Sequence, residues 1–296
     1  MNSYTVILFY NYVDIVDPNA MMLEQKALAI RLGLKGRMII APEGVNGTFE
    51  GTDAAIEEYC SIYTSDPRFR DTHIKKSIGT GQAFPKLSIK VRKEIVTLGL
   101  TPEEDVNPQM TTGKYLEPEG LREWFEKGKD FVIVDMRNNY EHISGHFKGS
   151  ILPPLENFRD LPGALPALEP LKEKTVLTVC TGGVRCEKAS GFLVKNGFKN
   201  VYQLHGGIVS YMEKYRDNQE YKGSLYVFDN RLTMAFADKE VRGVVGICES
   251  CLGQSENYVN CSDNTCHRHF IICEHCIEKS GGKAVCPNPS HPTTLK

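Results

Sequence analysis

Thr178-Val179-Cys180-Thr181-Gly182-Gly183-Val184-Arg185-Cys186-Glu187-Lys188-Ala189-Ser190 is the stretch on which the fold turns. The run that enters it, Thr175 to Val179, is apolar and β-branched, as a buried strand is. It ends on a cysteine in a short glycine-containing loop closed by an arginine, and a helix-like segment follows at once. Backbone N–H groups gathered in a tight loop at a helix N-terminus favour negative charge. In such a setting a thiol titrates at roughly 3.5–7.5 rather than its usual ~8.5. These residues point to a held thiolate at Cys180 more than to a cysteine buried for packing.

Working outward, strand-like and helix-like segments alternate from Lys114 to about Tyr215. Phe131–Asp135, Thr175–Val179 and Val201–Leu204 read as strands, and Leu121–Lys127 and Cys186–Asn196 as helices. That alternation predicts a mostly parallel sheet with helices on both faces, its functional loops at strand C-terminal ends, where Cys180 falls. Upstream, Tyr4–Tyr10, Arg37–Ile40, Gly47–Phe49, His73–Ile78 and Lys86–Leu98 read as strands. Asn19–Leu32 and a segment from Thr52-Asp53 to near Tyr63 read as helices. Strand–helix–strand–strand–helix–strand is the ferredoxin-like order. The chain thus divides into an α+β unit (1–100), a Pro/Gly-containing linker (101–113), an α/β unit (114–222), a connection (223–247) and a cysteine-rich tail (248–296).

Bulk properties set limits. The chain has 296 residues, room for two or three cores, with 41% apolar and 24% charged residues. A net charge of −2 offers no global argument for nucleic-acid binding, so any such argument is local. No run approaches the ~20 apolar residues of a membrane span. Met1 to Val13 lacks a basic leader region and a small-residue cleavage site and reads as a first strand. A cytoplasmic protein is expected. Seven of the ten cysteines lie between Cys248 and Cys286, and in a reducing compartment such a cluster speaks for metal rather than disulfides.

The central unit resembles a rhodanese domain, the single-cysteine sulfurtransferase module. Val134-Asp135-Met136-Arg137 with Glu141, Gly145-His146 and Gly149 matches the family's upstream signature, Cys180 to Arg185 its active loop, and Leu204-His205-Gly206-Gly207-Ile208 its C-terminal signature. Four residues separate Cys180 from Arg185, as in sulfur-carrying rhodaneses; related phosphatases use a loop one residue longer. The resemblance implies a persulfide on Cys180, stabilised by the backbone N–H groups of Thr181, Gly182, Gly183 and Val184 and by Arg185. Arg185 is open to a second role as a clamp that shapes the loop. Asp135, Arg137, Glu141 and His146 read as ties between loops rather than as catalysts. Cys186 is either a resolving thiol or a small helix-start residue.

With Ala41-Pro42-Glu43-Gly44-Val45-Asn46-Gly47-Thr48 and Ala83-Phe84-Pro85-Lys86-Leu87 before it and the tail behind, the whole chain resembles the rhodanese-containing tRNA uridine hydroxylases. That resemblance implies oxidation of the wobble uridine of tRNA to 5-hydroxyuridine with molecular oxygen as co-substrate, and a possible sulfur donor as a further partner. The alternative is a sulfurtransferase that moves sulfur from thiosulfate or a persulfide to a small thiol or protein acceptor. No flavin, haem or nucleotide-cofactor motif stands in the sequence.

A local basic run exists. Eight Lys/Arg face three acids between Asp66 and Glu94. Alternation puts Lys86, Ser88, Lys90 and Arg92 on one strand face and Leu87, Ile89 and Val91 on the other. Lys86, Lys90, Arg92, Lys75 and Lys76 are the RNA-binding candidates. A solvated face, or a docking surface for the central domain, is the competing reading. In the tail, Cys248-x2-Cys251-x9-Cys261-x4-Cys266 recurs 25 residues later as Cys273-x2-Cys276-x9-Cys286-x4-His291. Eight such ligands make two tetrahedral structural zinc sites. Tandem and interleaved pairings are both possible, with a lean to the interleaved one, in which Cys261, Cys266, Cys286 and His291 hold the second ion. His267, His269 and His275 are possible substitutes for Cys266.

Overall fold

The computed structural model describes residues 3–266 and 268–287. In the N-terminal unit the elements run β1 (Tyr4–Tyr12), α1 (Pro18–Arg31), β2 (Lys35–Ala41), β3 (Gly44–Thr52), α2 (Asp53–Ser65), β4 (Lys75–Ile78) and β5 (Leu87–Val91). Both helices start on side-chain caps. The Asp17 carboxylate accepts from the N–H groups of Asn19 and Ala20, and Thr52 Oγ1 accepts from that of Ala55. The sheet order is β4-β1-β3-β2-β5, antiparallel except for β5, which lies parallel to β2. The first four strands are the expected ferredoxin-like sheet, and β5 widens it by one.

Strand alternation sorts the two faces. Ile7, Phe9, Met38, Ile40 and Phe49 point to the helices and close a core with Tyr59 and Tyr63. Phe9 and Tyr63 rings lie 4.9 Å apart and Tyr63 stacks on Phe69 at 4.6 Å. Residues Leu8, Tyr10 and Tyr12 of β1 point the other way, to a face without helices. The strand expected over Lys86–Leu98 ends at Val91. Beyond it the Glu94 carboxylate accepts from the N–H groups of Leu98 (3.0 Å) and Gly99 (3.2 Å), which bends the chain off the sheet.

The central unit comprises β6 (Lys114–Leu116), α3 (Pro118–Glu126), β7 (Val132–Asp135), α4 (Asn139–His142), β8 (Gly145–Phe147), α5 (Leu161–Leu168), β9 (Thr175–Val179), α6 (Val184–Lys195), β10 (Asn200–Leu204) and α7 (Gly207–Lys214). Its parallel sheet has the order β6-β10-β9-β7. Each face carries its own core. Val134, Val176 and Val201 pack with Leu161 and Leu168 of α5 and Leu193 of α6. Ile133, Leu177 and Leu204 pack with Leu121 of α3 and Ile208 and Tyr211 of α7. Each side chain so buried contributes roughly 1.5–3 kcal/mol. The segment 101–113 lies along α6, with Val106 buried and the Gly113 N–H donating to Ser190 Oγ at 2.7 Å.

Beyond α7, β11 (Tyr221–Gly223) pairs with β8, and β12 (Leu225–Tyr226) forms a ladder with β13 (Thr233–Met234). Then come α8 (Lys239–Arg242), the pair β14 (Tyr258–Asn260) and β15 (His269–Ile271), and α9 (Glu274–Lys279). The tail leans on the central unit: Tyr258 Oη donates to the Tyr140 carbonyl at 2.6 Å, and Tyr226 Oη lies 3.1 Å from His269 Nδ1. Among the described residues no helix is long and apolar enough to cross a membrane.

Candidate active site

The loop after β9 delivers Cys180 to the C-terminal edge of the parallel sheet, fully buried. Gly183 takes φ +103°, open to glycine at little cost, and this turn aims its N–H at Cys180 Sγ at 3.2 Å. The loop is packed from behind by α7, whose Ile208 and Val209 N–H groups donate to the carbonyls of Cys180 (2.9 Å) and Thr181 (3.0 Å). Gly207 leaves no space for a side chain: a Cβ there would lie 2.6 Å from the Gly183 nitrogen. Burial pushes the Cys180 thiol up. A hydrogen bond from the Cys186 thiol, the Arg185 charge and the N–H groups of Cys186 and Gly183 outweigh it and hold the group at about 6. Burial and the neighbouring Cys180 push Cys186 the other way, so that it stays a protonated donor. The pair holds one thiolate and one thiol.

Arg185 is clamped. Both its terminal nitrogens bind the Glu141 carboxylate, Nη2 to Oε2 at 2.7 Å, and Nη2 reaches Thr181 Oγ1 at 3.4 Å. Glu141, fully buried on α4, also accepts from the Asn138 N–H at 2.9 Å. The arginine therefore shapes the loop while its charge lowers the thiol, so its two roles are compatible. Asp135 and Arg137 form a second buried pair, Nη2 to Oδ2 at 2.6 Å, and Arg137 donates to the Gly145 carbonyl at 2.8 Å. His146 Nδ1 lies 3.0 Å from the His142 carbonyl oxygen. These groups tie the β7–β8 region together and do not line the cleft next to Cys180.

The helix-free face of the N-terminal sheet sits on this loop. Tyr10 Oη donates to Glu187 Oε1 at 2.9 Å and Tyr12 Oη to the Val184 carbonyl at 3.1 Å. Glu187 also accepts from Tyr115 Oη (3.0 Å) and Gln203 Nε2 (2.9 Å). Lys188, fully buried on α6, binds Glu43 at 2.8 Å and Glu94 at 2.7 Å, both from the N-terminal unit. Breaking such a buried pair costs about 3–5 kcal/mol. Between the two surfaces opens a cleft of about 500 Å³, with Cys180, Thr181, Gly182 and Arg185 on one wall and Leu8, Tyr10, Arg37, Thr48, Ser88 and Lys90 on the other. Leu8, Thr48, Arg37 and Ser88 form one row across the strands. Among the described residues the charged ones along the cleft are Arg37, Lys90, Arg92 and Arg185, and no carboxylate lines it.

The sequence-derived RNA-binding candidates separate. Lys90 and Arg92 line the cleft, and Lys86 is exposed just before β5. Lys75 faces the same side from β4 but is buried, its ammonium 5.3 Å from the Tyr10 ring centre, and burial drives its pKa down to about 8. Lys76 points to the helix side and pairs with Glu57. Sequence reasoning missed Arg37, although alternation against the core residues Met38 and Ile40 marks its face. It also missed Phe228, which lines the cleft from a segment read only as a connection.

In the tail, the sulfurs of Cys248, Cys251, Cys273 and Cys276 lie within 4.8 Å of one another, as do those of Cys261, Cys266 and Cys286. The interleaved arrangement is the one present, with the two Cys-x2-Cys pairs sharing a cluster. Cys251 and Cys273 sulfurs are 3.7 Å apart, as are those of Cys266 and Cys286. A tetrahedron with 2.3 Å metal–sulfur bonds has edges of about 3.8 Å, so both clusters fit a metal ion. His291 and His267 lie outside the described residues; His269 faces Tyr226, and His275 is exposed.

Comparison with known proteins follows the same divisions. A model described as "UPF0176 acylphosphatase like domain" matches residues 4–95, "Rhodanese-like domain" residues 117–214, and "Rhodanase C-terminal" residues 222–289. A protein of Cytophaga hutchinsonii named tRNA uridine(34) hydroxylase is 42% identical over 282 residues, 95% of this chain and 88% of that protein. Proteins of the same name from Bacillus licheniformis (42% over 275 residues, 92% and 84%) and Enterococcus faecalis (40% over 294, 98% and 91%) match similarly.

Proposed function

The chain belongs to the family of tRNA uridine(34) hydroxylases, and on that premise we propose that it oxidises the wobble uridine of tRNA to 5-hydroxyuridine, with molecular oxygen as co-substrate and Cys180 as its reactive thiolate. The observation that carries this reading is the cleft: a thiol held at about 6 stands where a rim of Arg37, Lys90 and Arg92 meets it, with no carboxylate of the described residues between. Such a rim attracts a polyanion through its phosphates, while the apolar interior, with Leu8, Val96 and Phe158, suits a flat base. Uncharged small thiols gain nothing from it. Arg185 and the N–H groups of Gly183 and Cys186 hold negative charge at sulfur, as a thiolate or as a persulfide terminus; of the four loop donors expected from the sequence, Gly183 is the one whose N–H reaches Sγ. The tail clusters would hold two zinc ions, the second completed by His291, with a structural role: they staple the segment that supports Tyr140 and so α4.

Nucleoside analysis of total tRNA tests the proposal. Cells lacking the gene, and any redundant enzyme, lose 5-hydroxyuridine and the nucleosides derived from it; the wild-type gene restores them and Cys180→Ser does not. Restoration by Cys180→Ser would refute the cysteine's role. A second reading, transfer of sulfane sulfur to a thiol acceptor, is favoured by the N–H contact to Cys180 Sγ. It predicts turnover of thiosulfate with a small thiol and unchanged tRNA nucleosides.

A further inference from the structure

One wall of the cleft comes from neither the N-terminal sheet nor the cysteine loop. Val227 to Leu232 forms a tight turn closed by the Val227 N–H on the Leu232 carbonyl at 2.8 Å, with Leu232 at φ +61°. The turn is pinned to the N-terminal unit. The Asn230 N–H donates to the Ala83 carbonyl (2.9 Å), and its side-chain amide to that of Gln82 (2.8 Å). Arg231 donates to Ser77 Oγ and to the Ile78 carbonyl, both at 2.9 Å, while Asp229 holds its guanidinium at 2.6 Å. A surface turn fastened so firmly holds its side chains in place.

What it presents is Phe228. The ring lines the cleft together with Cys180 and Thr181, 5.7 Å from the Arg185 guanidinium carbon, and its edge-to-face partner is Tyr226 at 5.3 Å. It is 38% exposed, whereas Phe158 in the same cleft is 5% exposed and the Tyr10 hydroxyl is committed to Glu187. An apolar ring of that size is normally covered, and here part of it is left open in the cleft that the reactive sulfur also lines. Aromatic faces that stay open in a cation-rimmed groove are platforms for bases, because every base has a π-face.

We propose that Phe228 is the surface on which the uracil of the target nucleotide stacks, placing its ring beside Cys180 and Arg185 while Arg37, Lys90 and Arg92 take the flanking phosphates. This rests on the tRNA reading above. Stacking on one aromatic ring corresponds to about a 5- to 150-fold gain in affinity for a base over none.

The test uses the full chain and three forms: wild type, Phe228→Leu and Phe228→Trp. Each is titrated with an anticodon stem–loop bearing uridine at the wobble position and with the same stem–loop abasic there. The wild type is expected to prefer the uridine form by about 5- to 150-fold; Leu, similar in bulk but without a π-face, abolishes the preference, and Trp retains it. Cys180 alkylation against pH stays the same in all three. An undiminished preference in Phe228→Leu overturns the stacking role. A wild type that shows the preference but leaves cellular tRNA free of 5-hydroxyuridine overturns the reading beneath it instead, and a wild type without the preference overturns the stacking.

Discussion

The cysteine loop and the cysteine tail use the same atom to opposite ends. At Cys180 the sulfur is buried and faces a backbone N–H, a protonated thiol and a guanidinium. In the tail, sulfur faces sulfur at 3.7 Å, in a cluster of four and another of three. The first surroundings stabilise one negative charge and leave its lone pairs to react. The second gather several negative charges, which only a cation reconciles. What a cysteine does is set by what stands opposite it.

The largest effect expected from breaking this contrast is in the tail. Two zinc ions per chain are expected by metal analysis, and strong chelation, or Cys276→Ser, should unfold the segment from 248 onward. Metal binding there is folding free energy, on the order of 10 kcal/mol per site. Far fewer than two ions per chain would contradict the ligand geometry. Next is Glu141→Ala, which leaves the Arg185 guanidinium buried without its partner. About 3–5 kcal/mol of stability should go, read as a lower denaturation midpoint with an unchanged slope.

Titration then sharpens the comparison. Mapped by mass spectrometry, alkylation of native Cys180 should rise through about pH 6, whereas an unfolded chain follows the usual ~8.5. Because the folded value lies below the unfolded one, the thiolate stabilises the fold above about pH 8.5, and this contribution is lost as pH falls to about 6. Cys186→Ala removes the largest of the lowering influences and should move the midpoint upward; a midpoint that does not move would show that the thiol hydrogen bond does nothing. Smallest is Lys90→Ala. The slope of log affinity for tRNA against log salt should fall by about 0.7–0.9, while Lys76→Ala, on the far face beside Glu57, leaves it unchanged.

Much of this was legible in one dimension. The loop from Cys180 to Arg185 is local, so its residue types and spacing carry its chemistry, and the alternation of Leu87, Ser88, Ile89 and Lys90 carries the two faces of a strand. The period of 25 residues marks out the cysteines that gather in the tail, and the fold brings the two Cys-x2-Cys pairs into one cluster and Cys261, Cys266 and Cys286 into another. What sequence could not show is long-range. Glu187 and Lys188 read as ordinary helix residues, because nothing near them in the chain reveals that their partners are Tyr10, Glu43 and Glu94. Phe228 sat in a stretch without periodicity, and its position depends on a turn bolted to residues some 150 positions earlier. Lys75 looked like any basic strand residue until the docked units buried it.

The buried ammonium of Lys188, held between two carboxylates of another unit, bears on how such a protein can be recombined. A sulfurtransferase module moved in from elsewhere would bring a working loop yet arrive with an unmatched helix flank, leaving Glu43 and Glu94 on their own side of the junction without the ammonium that joins them. The exchangeable part is thus smaller than a domain at the loop and larger than a domain at the seam: positions 187 and 188 travel with the front sheet, whichever module surrounds them.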